Sequence, residues 1–166
     1  MWFEKNAEEA MNFYVDIFKT NPHASGESKI TNIKYYPEGS QEEHLKGMDG
    51  KVLTGVFLLD GQQFMAIDGG PHFKPTGAIS FLVECDTQEE LDHYWYKLSA
   101  VPEFEQCGWL QDKYGFTWQI TPKLLPQFLT STDKEKSARA MRAMMQMKKI
   151  DMATLQKAYE SDILTS

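Results

Sequence analysis

Two segments of the chain match each other at an offset of 81 residues, and this internal repeat constrains the fold more than any other feature. The first segment covers residues 6–17 and the second covers residues 87–98. Each begins with a residue that commonly caps helices, Asn6 or Thr87, and two acids follow in the first turn. Apolar residues then fall at positions 10, 13, 14 and 17 and at positions 91, 94, 95 and 98. This spacing of i, i+3, i+4 and i+7 predicts two equivalent amphipathic helices, each capped by the side chain of its first residue.

The segments that flank each helix are also alike. Residues 78–83 ahead of the second helix predict a strand, and residues 1–4 ahead of the first helix predict the stub of one. Strands are predicted at 29–36, 52–59 and 62–68 after the first helix, and at 106–111 and 116–121 after the second. Asp60-Gly61 and the segment 112–115 predict hairpin turns. Each half therefore follows the order strand, helix, then two or three strands, which predicts an α+β fold of two βαβββ modules.

The repeat also sets the predicted domain boundaries. Gly69-Gly70-Pro71 separates a first module, residues 1–70, from a second, residues 71–124, and together they form one domain over residues 1–124. Residues 125–166 are predicted to be a helical extension, with one helix from Thr132-Asp133 to about residue 149 and another over 151–159. Methionines at 141, 144, 145 and 147 are interpreted as an apolar stripe that docks on the sheet or on a second subunit.

Composition narrows the possible partners. The 166 residues are 42% apolar, which suits a folded core, and carry a net charge of −7. An acidic chain repels phosphate backbones and anionic membrane surfaces, so we expect no nucleic acid and no membrane partner. The two cysteines, Cys85 and Cys107, are too few for a disulfide scaffold and are interpreted as reduced thiols. With no apparent secretory segment or membrane span, a cytoplasmic location is expected.

Several stretches resemble a known family: residues 6–14, residues 63–71, residues 84–90 and residues 107–120. In this order they are similar to the PhnB-like group, labelled "3-demethylubiquinone-9 3-methyltransferase domain". That group lies within the glyoxalase/bleomycin resistance protein/dioxygenase (vicinal oxygen chelate) superfamily. The resemblance covers about residues 1–124 and implies paired modules whose curved sheets enclose a cavity. It implies no settled activity. The sequence lacks the Gly-rich turn that usually binds an adenosine-bearing methyl donor, so it does not support the methyltransferase label.

The resemblance also implies where a metal would be bound. Enzymes of the superfamily usually hold a divalent metal with His and Glu side chains on matching strands. The matching positions of this chain are Gln119, Met65 and Ala78, and the fourth position falls in the stub of the first strand. An amide, a thioether and a methyl group are poor ligands, so we expect no catalytic metal and no cofactor.

Strand alternation predicts which side chains face a ligand pocket. If Gln119 faces it, Thr117 and Thr121 do so as well. The same count adds Gln63, Met65 and Ile67 from the first half and Ala78, Ser80 and Leu82 from the second. His72 lies in the segment between the halves and could lean over the cavity. This mixed lining suits a neutral, partly apolar small molecule, and the alternative is that these residues fill a closed core.

The function predicted from the sequence is therefore binding of a small molecule, with no catalytic residue identified. The first alternative is an enzyme of the same superfamily, of lyase, isomerase or dioxygenase type. A second alternative is a partner-binding protein that uses its Met-rich tail. Because a small open sheet leaves strand edges and one face uncovered, a homodimer is also predicted.

Overall fold

The computed structural model describes residues 1–39 and 42–161, and the chain divides into two compact units, Met1–Pro75 and Thr76–Ser166. Each unit combines a small sheet with helices, so the predicted α+β fold built from a repeat is confirmed. The last residues of the predicted extension, 162–166, lie outside the described residues.

Within its described residues, the first unit contains one α-helix, a 3₁₀ turn at Glu43–Leu45 and a four-stranded sheet. In chain order its helix and strands are β1 (Trp2–Phe3), α1 (Ala7–Lys19), β2 (Lys29–Tyr35), β3 (Val52–Leu59) and β4 (Gln62–Asp68). The strands are ordered β1-β4-β3-β2, with β1 parallel to β4 and the other pairs antiparallel. Asp60 and Gly61 take positive φ values of 48° and 83° between β3 and β4, which confirms the predicted hairpin.

The predicted apolar stripe of α1 packs on one face of this sheet. Ala10 and Tyr14 are fully buried, and Met11 beside them contacts β3. A Cβ at Gly55 would lie 2.5 Å from the sulfur of Met11, so glycine at this position leaves room for the Met11 side chain against the strand. The opposite face of the sheet carries the other residues of each strand.

The second unit repeats this order with one strand fewer. Its elements are β5 (Ser80–Cys85), α2 (Gln88–Leu98), β6 (Trp109–Gln111) and β7 (Thr117–Pro122), and the strands are ordered β5-β7-β6. β5 pairs with β7 in parallel and β6 pairs with β7 antiparallel, as β1, β4 and β3 do in the first unit. A 3₁₀ turn at Pro102–Phe104 follows α2, where β2 follows α1 in the first unit. Three strands therefore follow α1 and two follow α2, which agrees with the predicted pattern of two or three strands after each helix.

Two predicted strand boundaries in the second unit are wrong. The strand predicted at 78–83 is Ser80–Cys85, because its parallel pairing with β7 begins at Ser80 and Thr117. Ala78 instead lies in a turn, where its N–H donates to Thr76 Oγ1 at 3.3 Å. The strand predicted from 106 begins only at Trp109, since Cys107 and Gly108 have positive φ values of 51° and 85° and turn the chain.

The tail folds into three helices, α3 (Leu125–Leu129), α4 (Lys134–Met145) and α5 (Met152–Glu160). Asp133 and Asp151 cap α4 and α5, and both helices were predicted. The short helix α3 was not predicted. The sequence placed the end of the first tail helix near residue 149, which is wrong, because residues 147–150 leave the helix to bind the second unit.

We call residues 147–150 the anchor segment. Cys107 N–H and Gly108 N–H donate to its carbonyl oxygens at residues 147 and 148, each at 2.8 Å. The Gln88 amide of α2 donates to Ile150 O and accepts from Met152 N–H. Ile150 is fully buried. These contacts make the tail part of the second unit.

Two of the four methionines of the predicted stripe in the tail are exposed. Met141 and Met145 are 44% and 57% exposed, while Ala140 is the buried residue of α4. Docking of these two side chains on the sheet is therefore wrong, and docking on a second subunit stays a prediction. Among the described residues, no helix is both long and apolar enough to cross a membrane.

Candidate functional site

The sheet of the second unit has a helix-covered face and an open face, and strand alternation separates them. On β7, Trp118 and Ile120 are buried on the helix side. The Trp118 indole N–H donates to Asp112 Oδ2 at 2.8 Å, and its ring lies 4.9 Å from that of Phe81. Because side chains alternate along a strand, the residues of β7 that alternate with Trp118 and Ile120 project from the open face. These residues are Thr117, Gln119 and Thr121.

Ser80 joins these residues on the open face. It pairs with Thr117 in the parallel ladder, and the Gln119 amide Nε2 donates to Ser80 Oγ at 2.8 Å. The bond leaves the oxygen of the Gln119 amide as an acceptor and the Ser80 hydroxyl hydrogen as a donor. Four of the sequence-predicted pocket residues thus lie together: Ser80, Thr117, Gln119 and Thr121.

Two large apolar side chains flank Gln119 in the sheet. Leu82 of β5 and Trp109 of β6 are its partners on either side, so the three form a row across the open face. Leu82 is 57% exposed and Trp109 is 38% exposed. The open face therefore presents an amide between two apolar surfaces that are accessible to another molecule.

Thr117 contributes a buried hydroxyl to the same face. The residue is 4% exposed, and within the described residues its Oγ1 has no hydrogen-bond partner. Gly77 is nearby, since a Cβ built there would be 4.0 Å from Oγ1. A buried hydroxyl without a partner costs about 1–3 kcal/mol, so this group gains stability from any partner that reaches it.

Leu82 is a fifth sequence-predicted pocket residue on the sheet of the second unit, and the other five do not lie on that sheet. Gln63 and Met65 are exposed and Ile67 is half-buried on the open face of β4 in the first unit, where Ala66 and Asp68 face the helix. His72 is exposed in the segment after β4, and Ala78 is exposed in the turn before β5. The structure thus brings half of the predicted pocket residues onto one sheet.

Sequence reasoning missed three residues of the open face: Glu84, Trp109 and Gln111, which pairs with Thr117. Glu84 is exposed and pairs with Thr121, two positions beyond Leu82 on the same side of β5. It was missed because the strand was placed two residues too early, and the alternation continued along Ser80 and Leu82 would have found it. Trp109 and Gln111 were missed because the alternation was counted on the neighbouring strands and not on the strand predicted at 106–111.

The positions at which the superfamily holds a metal do not fit one here. Met65 is an exposed thioether, Ala78 offers a methyl group, and the Gln119 amide bonds Ser80. Across residues 1–39 and 42–161, no three His, Cys, Asp or Glu side chains are arranged to hold a metal ion.

A separate cleft of about 240 Å³ lies at the start of α1 in the first unit. Asp68 lines it and is 1% exposed, and its carboxylate accepts from Ala7 N–H and Val52 N–H at 2.8 Å each. The side chain of Asn6 makes no cap hydrogen bond, so its predicted capping role is wrong and Asp68 takes that role. In the second unit Thr87 Oγ1 accepts from Glu90 N–H at 3.2 Å, which confirms the predicted cap.

Both cysteines are free. Burial raises the pKa of the Cys85 thiol, and the nearby carboxylates of Glu90 and Asp86 raise it further. Cys85 is therefore held as a neutral thiol and is a poor nucleophile.

The fold and the open-faced sheets define a protein of the glyoxalase-like class, with paired α+β units. Residues 1–121 match the family described as 3-demethylubiquinone-9 3-methyltransferase, and the chain belongs to that family.

Among solved structures, the chain is similar to a putative 3-demethylubiquinone-9 3-methyltransferase, PhnB protein, from Bacillus cereus. The two are 36% identical with a TM-score of 0.57, over 74% of this chain and 94% of the other. Protein PA1353 from Pseudomonas aeruginosa shares the fold at 19% identity and a TM-score of 0.51, over 74% of this chain and 93% of that one. None of the curated proteins matches this chain.

Proposed function

We propose that this protein binds a small, partly apolar molecule on the open face of the second sheet. The observation that carries the proposal is the row Leu82–Gln119–Trp109, in which an amide lies between two exposed apolar side chains. Apolar surface on either side would bury the body of a ligand, and the amide would fix its orientation.

The hydrogen-bonding groups of the face support this role. Gln119 and Ser80 hold each other through one bond, which orients the remaining acceptor and donor without using them. Such preorganised polar groups lower the cost of binding because fewer side chains must be ordered. The Thr117 hydroxyl lies on the same side of the sheet but is buried, so the accessible polar groups of the face are those of Gln119 and Ser80.

Binding is favoured over methyl transfer by the architecture of the sheets. An adenosine-bearing methyl donor usually sits at the carboxyl ends of a mostly parallel, doubly wound sheet. Each sheet described here has a single parallel pair beside antiparallel ones. The family description therefore does not define the proposed activity.

A substitution at Gln119 separates a binding role from a structural one. The probe is benzyl alcohol, a small molecule with one apolar ring and one hydroxyl, titrated by protein-observed NMR. In the wild type we expect the chemical-shift changes that the probe causes to concentrate on Leu82, Trp109 and Gln119. Gln119→Leu should lower the affinity several-fold, because the orienting amide is lost, and should change the melting temperature little.

The matched control is Gln127→Leu, which alters an exposed glutamine on α3 of the same unit. It should leave both the affinity and the melting temperature unchanged. If Gln119→Leu instead lowers the melting temperature by several degrees and leaves the affinity intact, Gln119 is a core residue and the proposed site is wrong.

We also propose that the protein is a cytoplasmic homodimer. The support is an open face and free strand edges in each unit, two free cysteines, and exposed Met141 and Met145 on α4. A second copy that covered these apolar groups would lower their exposure to water.

A further inference from the structure

The open face of the second sheet carries one charged group that the sequence analysis did not include. Glu84 lies on β5 on the same side as Leu82, and it is exposed. Lys123, which follows β7, pairs with Asp86 at 3.4 Å. Within the described residues Glu84 makes no ion pair, so its carboxylate is available to a ligand.

Glu84 lies outside the row Leu82–Gln119–Trp109, diagonally across the sheet from Trp109. Their strands are separated by β7, and they differ by two residues along the ladder. From the usual strand spacing and rise per residue, their Cα atoms are about 12 Å apart. Both side chains project from the same face, so a molecule one ring long can reach both at once.

We infer that the ligand of this face is a small organic cation, an amine with an aromatic or aliphatic body, and this inference rests on the proposed binding function. The ammonium group pairs with Glu84, and the body lies on Leu82 and Trp109. A carboxylate favours the charged amine electrostatically, and an indole face also attracts cations. The net charge of −7 adds a long-range field that draws cations to the protein. The charge of Glu84 thus changes the expected ligand from neutral to cationic.

Two probes of nearly the same shape test the charge. Benzylamine is protonated at pH 7, and benzyl alcohol is neutral. At low salt we expect the wild type to bind benzylamine about fivefold more tightly than benzyl alcohol, which is the upper end of what an exposed ion pair contributes. This preference should shrink at high salt, because exposed charges are screened.

Substitutions test whether the preference for benzylamine comes from the Glu84 carboxylate. Glu84→Gln keeps the size of the side chain and should bring the two affinities to within about twofold, mainly by weakening benzylamine. Trp109→Leu should weaken both probes, and Trp109→Phe should restore part of the binding. Glu135→Gln, at an exposed carboxylate on α4 of the same unit, is the matched control and should preserve the fivefold preference.

The outcomes distinguish this inference from the function on which it rests. If both probes bind equally, and Gln119→Leu lowers the affinity for both, the face binds small molecules but the inference of a cationic ligand is wrong. A preference for benzylamine that persists in Glu84→Gln also overturns the inference. If neither probe binds the wild type at millimolar concentration, the proposed function fails and the inference fails with it.

Discussion

Removal of the Asp68 carboxylate tests how the first unit holds its helix. Asp68 is 1% exposed and accepts two hydrogen bonds of 2.8 Å, one from Ala7 N–H at the start of α1 and one from Val52 N–H at the start of β3. The sequence offers no sign of this link, since residues 7, 52 and 68 lie on three separate elements.

The structure sets the magnitude. A hydrogen bond to a charged group contributes about 1.5–3 kcal/mol, and each buried N–H left without a partner adds to the cost. For Asp68→Ala we expect a loss of about 3–5 kcal/mol in the free energy of unfolding. For Asp68→Asn, which keeps one acceptor oxygen, we expect about 2 kcal/mol.

Urea denaturation measures these losses, and amide hydrogen exchange assigns them. The Ala7 and Val52 amides should lose protection in Asp68→Ala, because both lose their acceptor. Asp49→Ala, at an exposed aspartate of the same unit, is the control and should cost less than 0.5 kcal/mol. If Asp68→Ala costs no more than this control, or if both amides stay protected, the Asp68 carboxylate does not hold α1 and β3 in place.

Four further results are expected. Gly108→Ala should lower the free energy of unfolding by about 2 kcal/mol or more, because φ is 85° and a Cβ would lie 2.9 Å from Ile120 O. Thermal melting measures the loss, and Gly39→Ala, at φ 70° in open space, is the control that should cost less. Backbone hydrogen bonds lower the pKa of Asp133 and of Asp151 below 3.8, so their capping is fully present above pH 3.8 and is lost as pH falls through the lower folded values. Circular dichroism should show helix loss over that range, and Asp151→Asn, which still caps but does not titrate, should reduce it. Light scattering at micromolar concentration should give a dimer mass, and a monomer mass would contradict the proposed assembly. Elemental analysis after dialysis should find less than one Zn, Ni, Mn or Fe per chain, and a stoichiometric metal would contradict the expectation drawn from Gln119.

Much of the fold could be predicted from local patterns in the sequence. The helix stripe beginning at Ala10 and the Asp60-Gly61 hairpin are set by residues close in the chain, and both are observed. The predicted ends of helices and strands were less accurate where contacts with a segment distant in the chain set them. The helix predicted to run to residue 149 stops at Met145, because the anchor segment bonds Cys107 N–H and Gly108 N–H.

The candidate site was only partly accessible to the same reasoning. Alternation along β7 correctly separated Gln119 from Trp118, since period two is a property of the strand itself. The bond from Gln119 to Ser80 and the flanking position of Trp109 depend on the register between strands. Register is set by packing and by turns far from the residues concerned, so the row across the sheet could not be predicted.

The sequence by itself determined the repeat, the two helices with their apolar stripes, the hairpins and the family. These follow from periodicity and turn chemistry, which act over a few residues. Only the tertiary structure decided that Asp68 rather than Asn6 caps α1, while Thr87 caps α2 as its type predicts. A cap needs an acceptor within hydrogen-bond distance of a free N–H, and a distant strand can supply it as readily as the neighbouring residue. Which acceptor takes that place is decided by how the strand packs against the helix.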